Sequence, residues 1–352
     1  MRHVFFIVGP TATGKSDIAA EIAQRLNAEI ISADAFQIYR GLDLLTAKPG
    51  KTTLTKAPHH LLGTVPLTEE MNVERFWVSA LEALRDIQAR GKQAIVAGGS
   101  GLYVKALTHG LSNLPGADPK LRARLSELSL DELRGQLVDL DPVTAGKIDL
   151  KNRRRVTRAL EICLLSEKPF SAQRTSWDTM RTAPDADADD AGSTGILPVG
   201  QTGILPVSSS GQDAHWPHRQ DACATPAAMA SAQLSGVFVF RDRAELYERI
   251  NRRVENMFAD NIVDEVRRIG AMSSTASQTL GLREIRALIA GEISETACIA
   301  RIQQRTRHYA KRQLTWFQRQ SNFEPLNLSS HGYPEAIELI AQNARRVFCA
   351  KG

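Results

Sequence analysis

The chain has 352 residues, 43% of them hydrophobic and 24% charged, with a formal net charge of +5, ordinary values for a soluble globular protein. No apolar run reaches the roughly 18–20 residues that span a bilayer, so an integral membrane protein is excluded. The N-terminus lacks a signal-peptide pattern, and its four cysteines, far apart with no C-x-x-C pair, suit neither zinc nor a disulfide framework; a cytoplasmic placement is expected.

The first hundred residues alternate strand and helix. Val4–Val8 reads as a strand, a helix runs from Ser16 to Leu26, Glu29–Asp34 is a second strand, Val73–Arg90 has helical spacing, and Gln93–Ala97 is a third strand. This alternation predicts an α/β fold, a parallel sheet flanked by helices. From Asp118 onward helices dominate, at Asp131–Leu140, Arg153–Ser166, Arg243–Ile269 and Thr296–Gln320, with a strand at Val237–Phe240. Residues 181–235 are rich in Ala, Asp, Ser, Gly and Pro and carry Thr-Gly-Ile-Leu-Pro-Val twice. Two short units cannot stack as a solenoid, and the segment is expected to be a low-complexity, disordered insertion. The expected division is a core of 1–117 and 236–352 with 151–180, a helical insertion at 118–150, and the low-complexity stretch. Nothing signals a coiled coil, and a monomer is expected.

Charge is uneven along the chain. Residues 1–150 hold 17 basic and 17 acidic side chains, so the whole excess lies in residues 151–352, where 23 of 27 cations are arginine. One cluster is Lys151, Arg153, Arg154, Arg155 and Arg158; residues 301–320 add six cations and no carboxylate. Arginine grips phosphate with a planar fork and stacks on bases, so the bias suits a polyanion, although a solvated helix face would look alike.

The strongest motif is Gly9-Pro10-Thr11-Ala12-Thr13-Gly14-Lys15-Ser16, which matches G-x-x-x-x-G-K-[S/T] between a strand and a helix. Its glycines let backbone N–H groups turn inward on a phosphate, Lys15 adds a mobile cation, and the Ser16 hydroxyl can ligate Mg²⁺. The sheet is therefore expected to be P-loop NTPase-like. A typical ATPase carries a second strand ending in Asp or Glu, but here strand Ala94–Ala97 runs into Gly98-Gly99-Ser100-Gly101. Asp34 is the carboxylate at a strand end near the cradle, either a turn-forming residue or a general base beside a diphosphate. His59 and His60 are expected to pack structurally. The residues alone leave open a prenyl transferase, a small-molecule kinase and a nucleic-acid-binding ATPase module.

The chain resembles the tRNA dimethylallyltransferase family. The matching elements are GPTATGKS at 9–16, ISADAFQIYRGLD at 31–43, TAKP at 46–49, PHHL at 58–61, GGSGLYVKAL at 98–107 and a DP…LRARL stretch at 118–125. In the second half they are RRRVTRALE at 153–161, RAELYERINRRVENM at 243–257, LGLREI at 280–285 and KRQLTWFQRQ at 311–320. The resemblance implies transfer of a dimethylallyl group from its diphosphate to N6 of the adenosine immediately 3′ of the anticodon in tRNA. It implies Mg²⁺ as cofactor, and dimethylallyl diphosphate and the tRNA anticodon stem-loop as partners. Asp34 would act on the amine proton, Ser100 would line the passage where nucleotide and donor meet, and Arg243 would lie near the donor's phosphates. The tRNA contacts would be Asp34, Ala35, Phe36, Gln37, Ser100, Arg122, Arg154, Arg155, Val156, Thr157, Arg158, Arg283, Lys311 and Arg312, on a mostly helical tRNA-binding part. The chain departs from the family pattern at Ala35, Leu45, Ser100 and Leu282.

Overall fold

The computed structural model describes residues 4–111, 114–173 and 235–349. They form two compact units, one built of residues 4–108 and 235–349 and the other of 109–111 and 114–173.

The first unit is an α/β sandwich. Strands β1 (Val4–Val8), β2 (Ala28–Ser32), β3 (His59–His60), β4 (Gln93–Gly98), β5 (Ser235–Phe240) and β6 (Glu324–Asn327) lie in the order β3-β2-β4-β1-β5-β6, every pair parallel. Each residue of β1 and β2 is buried, as expected for strands covered on both faces. Alternate side chains go opposite ways. Phe5 and Ile7 join the cluster of Ile18 and Ile22 from α1 (Lys15–Leu26) and Ile337, Ile340 and Ala344 from the C-terminal helix Tyr333–Cys349. Phe6 instead meets the Phe323 ring at 5.9 Å, and Phe238 stacks on Phe317 at 5.6 Å. The helix Val73–Ala89 starts at Asn72, whose side chain accepts the Arg75 N–H at 2.8 Å, and so satisfies one of the free donors of the first turn.

The P-loop-like parallel sheet is borne out, with small shifts of boundary. The long helix read at 243–269 is two helices, Arg243–Ala259 and Ile262–Arg267, broken where Asn261 turns left-handed at φ 63°. The strands β3 and β6 and the C-terminal helix go beyond the sequence reading; β3 has two residues, and β6 carries Pro325, which an edge strand tolerates. The reading of residues 181–235 falls outside the described residues except for Ser235, which opens β5.

The second unit is helical: Pro119–Glu127, Leu130–Leu140, Pro142–Ala145 and Arg153–Ser166. Its starts are capped by Asp118, by a Ser129/Glu132 capping box, by Asp141 and by Asn152. Leu125, Leu133, Leu137, Ile148, Val156 and Leu160 form its core. The division therefore differs from the expected one. The 153–166 helix packs with residues 118–150 in one unit, because Val156, Ala159 and Leu160 present an apolar stripe opposite the arginines.

Candidate active site

The phosphate loop crosses from β1 to α1. Gly9 is packed so closely under β5 that a Cβ there would lie 2.1 Å from the Val239 carbonyl oxygen, and one on Gly98 would lie 2.2 Å from that of Ala33. Both positions demand glycine because the obstacle is backbone. The Thr13 hydroxyl donates to the Pro10 carbonyl at 3.0 Å, and Lys15 Nζ donates to the same oxygen at 3.1 Å. Gly14, at φ 92°, lets the chain turn into the helix.

The loop is clamped from the far half of the chain. Arg241 Nε donates to the Thr13 carbonyl and Arg249 Nε to the Ala12 carbonyl, each at 2.9 Å; Arg253 Nη1 donates to Thr11 Oγ1 at 2.8 Å. Gln313, buried on the helix Glu295–Gln318, accepts the Thr11 N–H through Oε1 at 2.9 Å and donates through Nε2 to the Gly99 carbonyl at 2.8 Å.

Thr11, Ala12, Gly14, Lys15, Ser16, Asp34, Gln37, Arg249, Arg252 and Arg253 are among the residues lining a cavity of about 410 Å³. Apolar wall is supplied by Ala19, Ile30, Ala47, Pro49, Leu62 and Ala97. Asp34 follows β2 by two residues. Its Oδ1 accepts the N–H groups of Phe36 at 3.0 Å and Gln37 at 3.2 Å, a turn in which Oδ2 takes no part. The two readings of Asp34 are thus compatible, since one oxygen holds the turn and the other is left for chemistry. Ser100 Oγ accepts the neighbouring Ala35 N–H at 2.9 Å, so it fixes the backbone that carries Asp34. Tyr309 is held well above the ordinary phenol range, first by burial and next by the Asp34 charge.

Burial lowers Lys15 from 10.5 to about 8; Asp34 opposes the shift and the Arg253 charge adds to it. A bound diphosphate favours the protonated amine, so ligand binding takes up a proton once the pH passes about 8. The affinity for an organic diphosphate is expected to fall on going from about pH 7 to 9, by at most about tenfold per unit. Titration calorimetry in buffers of different ionisation enthalpy checks this; constant affinity and no proton uptake would contradict it.

Several sequence-assigned residues sit elsewhere. Arg243 is exposed, 5.2 Å above the Tyr247 ring, and does not line the cavity. Ala35 and Phe36 are buried, while Gln37 Nε2 donates to the Thr46 and Ala47 carbonyls at 3.1 and 3.0 Å. Arg283 and Lys311 are exposed, and Arg312 lies 5.7 Å over the Tyr309 ring. Leu282 is 1% exposed and belongs to the core. In the helical unit Arg122 and Arg158 both pair with Glu161, Arg154 is exposed, Arg155 and Thr157 are half-buried, and Val156 is wholly buried. The Val156 side chain is thus core, not a surface for tRNA. His60 Nε2 lies 2.7 Å from Glu29 and His59 Nδ1 2.8 Å from the Ala57 carbonyl, which are structural contacts; His59 also lines the cavity.

Sequence reasoning passed over Arg249, Arg252, Arg253 and Gln313. The available signal was the spacing of Arg249 and Arg253, four apart and hence on one helix face.

Comparison with known proteins decides the family. The IPP transferase model matches residues 37–189 and 206–320. The chain belongs to the IPP transferase family. A tRNA dimethylallyltransferase of Akkermansia muciniphila is 36% identical over 332 residues, covering 94% of this chain and 96% of that protein. One from Leuconostoc citreum is 34% identical over 97% of this chain and 98% of its own. Among solved structures, the tRNA isopentenylpyrophosphate transferase of Bacillus halodurans superposes with a TM-score of 0.64 at 26% identity, covering 99% of this chain and 97% of that one. A eukaryotic dimethylallyltransferase shares the fold at a TM-score of 0.72 and 22% identity, covering 100% of this chain and 81% of that one. The solved relatives thus share this chain's fold along nearly its whole length.

Proposed function

We propose that the protein transfers the dimethylallyl group of dimethylallyl diphosphate to N6 of the adenosine immediately 3′ of the anticodon in tRNA, releasing diphosphate. The observation that carries this reading is that Lys15 and Asp34 line one cavity, beside a strand that ends in glycine. The other carboxylate on the cavity, Asp17, accepts the Thr53 hydroxyl at 2.8 Å, and β4 ends at Gly98 without the acid that an ATPase uses to position water.

The allylic C–O bond breaks, and its electron pair leaves with the diphosphate. The cradle and Lys15 stabilise the charge that develops there. The N6 lone pair is delocalised into the adenine ring, so the amine is a weak nucleophile. As the C–N bond forms, Asp34 accepts the N6 proton through the oxygen its turn leaves unused. The apolar wall of Ile30, Ala47, Pro49 and Leu62 suits a five-carbon chain and keeps water from the allylic carbon. An adenine in a folded loop must turn outward to reach such a site, at a cost of a few kcal/mol that arginine–phosphate contacts offset.

Mg²⁺ is part of the proposal. It takes hard oxygen donors, few from protein and the rest from phosphate and water, and the Ser16 hydroxyl on the cavity would be the donor from this chain. When bound, it neutralises charge on the diphosphate. The exposed Arg154, Arg283 and Lys311 are candidates for tRNA phosphate contacts. Among the described residues no helix is long and apolar enough to cross a membrane; we propose that the protein works in the cytoplasm, as a monomer.

The test is incubation with bulk tRNA, Mg²⁺ and dimethylallyl diphosphate, followed by nucleoside mass analysis. A dimethylallyl adenosine with one pyrophosphate released per transfer is expected. Phosphorylation of an acceptor from ATP, with no carbon transferred, would overturn the reading in favour of a kinase.

A further inference from the structure

Two acidic side chains stand side by side on the short helix Ile262–Arg267 and do different things. Asp264 makes an ordinary ion pair with Arg267 of the same helix at 3.0 Å. Glu265, half-buried, reaches instead to the turn at residues 42–47. Its Oε2 accepts the N–H groups of Asp43 at 2.9 Å and Leu44 at 2.8 Å, and its Oε1 that of Leu45 at 2.9 Å.

Those amides are the ones the turn does not satisfy for itself. The Leu42, Asp43 and Leu44 carbonyls accept the N–H groups of Thr46, Lys48 and Ala47 respectively, and a helix-like start of this kind leaves its first N–H groups over. A carboxylate that takes all three makes charge-assisted hydrogen bonds, each stronger than a neutral one. The far end of the turn reaches the site. The Thr46 and Ala47 carbonyls hold Gln37 Nε2, and the Gln37 N–H is one of the two that Asp34 Oδ1 accepts. Ala47, Lys48 and Pro49 are part of the cavity wall, which Glu265 itself does not line. The phosphate loop is braced separately, by Arg241, Arg249 and Gln313.

Resting on the reading above, we infer that Glu265 is a positioning residue for prenyl transfer. By clamping the 42–47 turn it fixes, through Gln37, the carboxylate that takes the N6 proton. It also sets the wall against which the five-carbon chain lies. Misplacing a reacting group by about 1 Å can cost about 10²-fold in rate, so a remote clamp of this kind matters to the chemical step.

The test compares the full chain with E265A, E265Q, Q37A and the E265A/Q37A double variant, all below the onset of thermal melting. Single-turnover transfer with tRNA and dimethylallyl diphosphate saturating is measured beside the binding of inorganic pyrophosphate with Mg²⁺. E265A is expected to slow transfer by at least about tenfold while its pyrophosphate affinity holds, since the phosphate loop has its own braces. E265Q is expected to recover part of the rate, because one amide oxygen can still accept from Asp43 and Leu44. The double variant is expected to be no slower than the slower single, as for two residues acting in one chain of contacts. A lowered melting temperature with an unchanged rate on folded E265A, or on E265Q should E265A not fold, would overturn the inference and leave the transferase reading standing. So would losses that multiply in the double variant. Absence of transfer by the unsubstituted protein would overturn both.

Discussion

Asp34→Asn is expected to slow prenyl transfer by about 10²–10⁴-fold, the usual worth of a positioned general base. Asparagine is the informative substitution here because the side chain has two tasks. Its Oδ1 holds the turn by accepting the Phe36 and Gln37 N–H groups, and an amide oxygen at the same place keeps that turn. The amide cannot take a proton from N6. Removing a negative charge from beside Lys15 and Arg253 also favours an incoming diphosphate, so donor binding is expected to be no weaker and tRNA binding to stay within a few-fold. Single-turnover transfer measured with both ligands saturating separates these effects. A loss below about tenfold would show that Asp34 serves the turn alone.

The second large effect is expected at Glu161, in the helical unit. Its side chain is 0% exposed, and its carboxylate accepts from Arg122 Nε at 2.8 Å, Arg158 Nη1 at 2.7 Å and the Asp118 N–H at 2.9 Å. Glu161→Ala leaves two largely buried guanidiniums side by side with no counter-charge and a helix start without its acceptor. The expected cost is about 3–5 kcal/mol of stability, the usual penalty for breaking a buried pair from one side. Arg122 also has a buried Nη1 without a partner, so the loss of Glu161 frees a guanidinium that it now orients. Denaturant unfolding followed by a probe in the helical unit checks the prediction, and a change below about 1 kcal/mol, the range of exposed ion pairs, would contradict it.

These two acids show what was legible in the sequence and what was not. Asp34 could be found because chemistry put it at the end of a buried apolar strand, next to a loop with a full phosphate-binding signature. Glu161 could not. Inside an arginine-rich helix it reads as one of many surface charges, and only the packing of Val156 and Leu160 against Leu133 and Leu137 turns it inward. The same ambiguity hid Arg253, whose spacing from Arg249 is equally that of a solvated stripe. It also misplaced the 153–166 helix, which was grouped with residues 1–117 and 236–352 while its apolar face belongs with residues 118–150. Among the strands, β1, β2, β4 and β5 were readable as apolar runs. The two edges were not, since a two-residue His59–His60 strand and a strand bearing Pro325 carry no periodic signal. The phosphate loop was legible down to the residue because its backbone geometry leaves the sequence little choice: at Gly9 a single added carbon meets a carbonyl oxygen of β5.

The central claim is that the pyrophosphate held by this loop departs whole, with its electron pair, while carbon stays behind. Dimethylallyl diphosphate carrying oxygen-18 in the bridging C–O position tests it directly. The account predicts that the label leaves with the released pyrophosphate and that the tRNA gains carbon but no label. Label recovered on the tRNA, or phosphorus joined to it, would contradict the account.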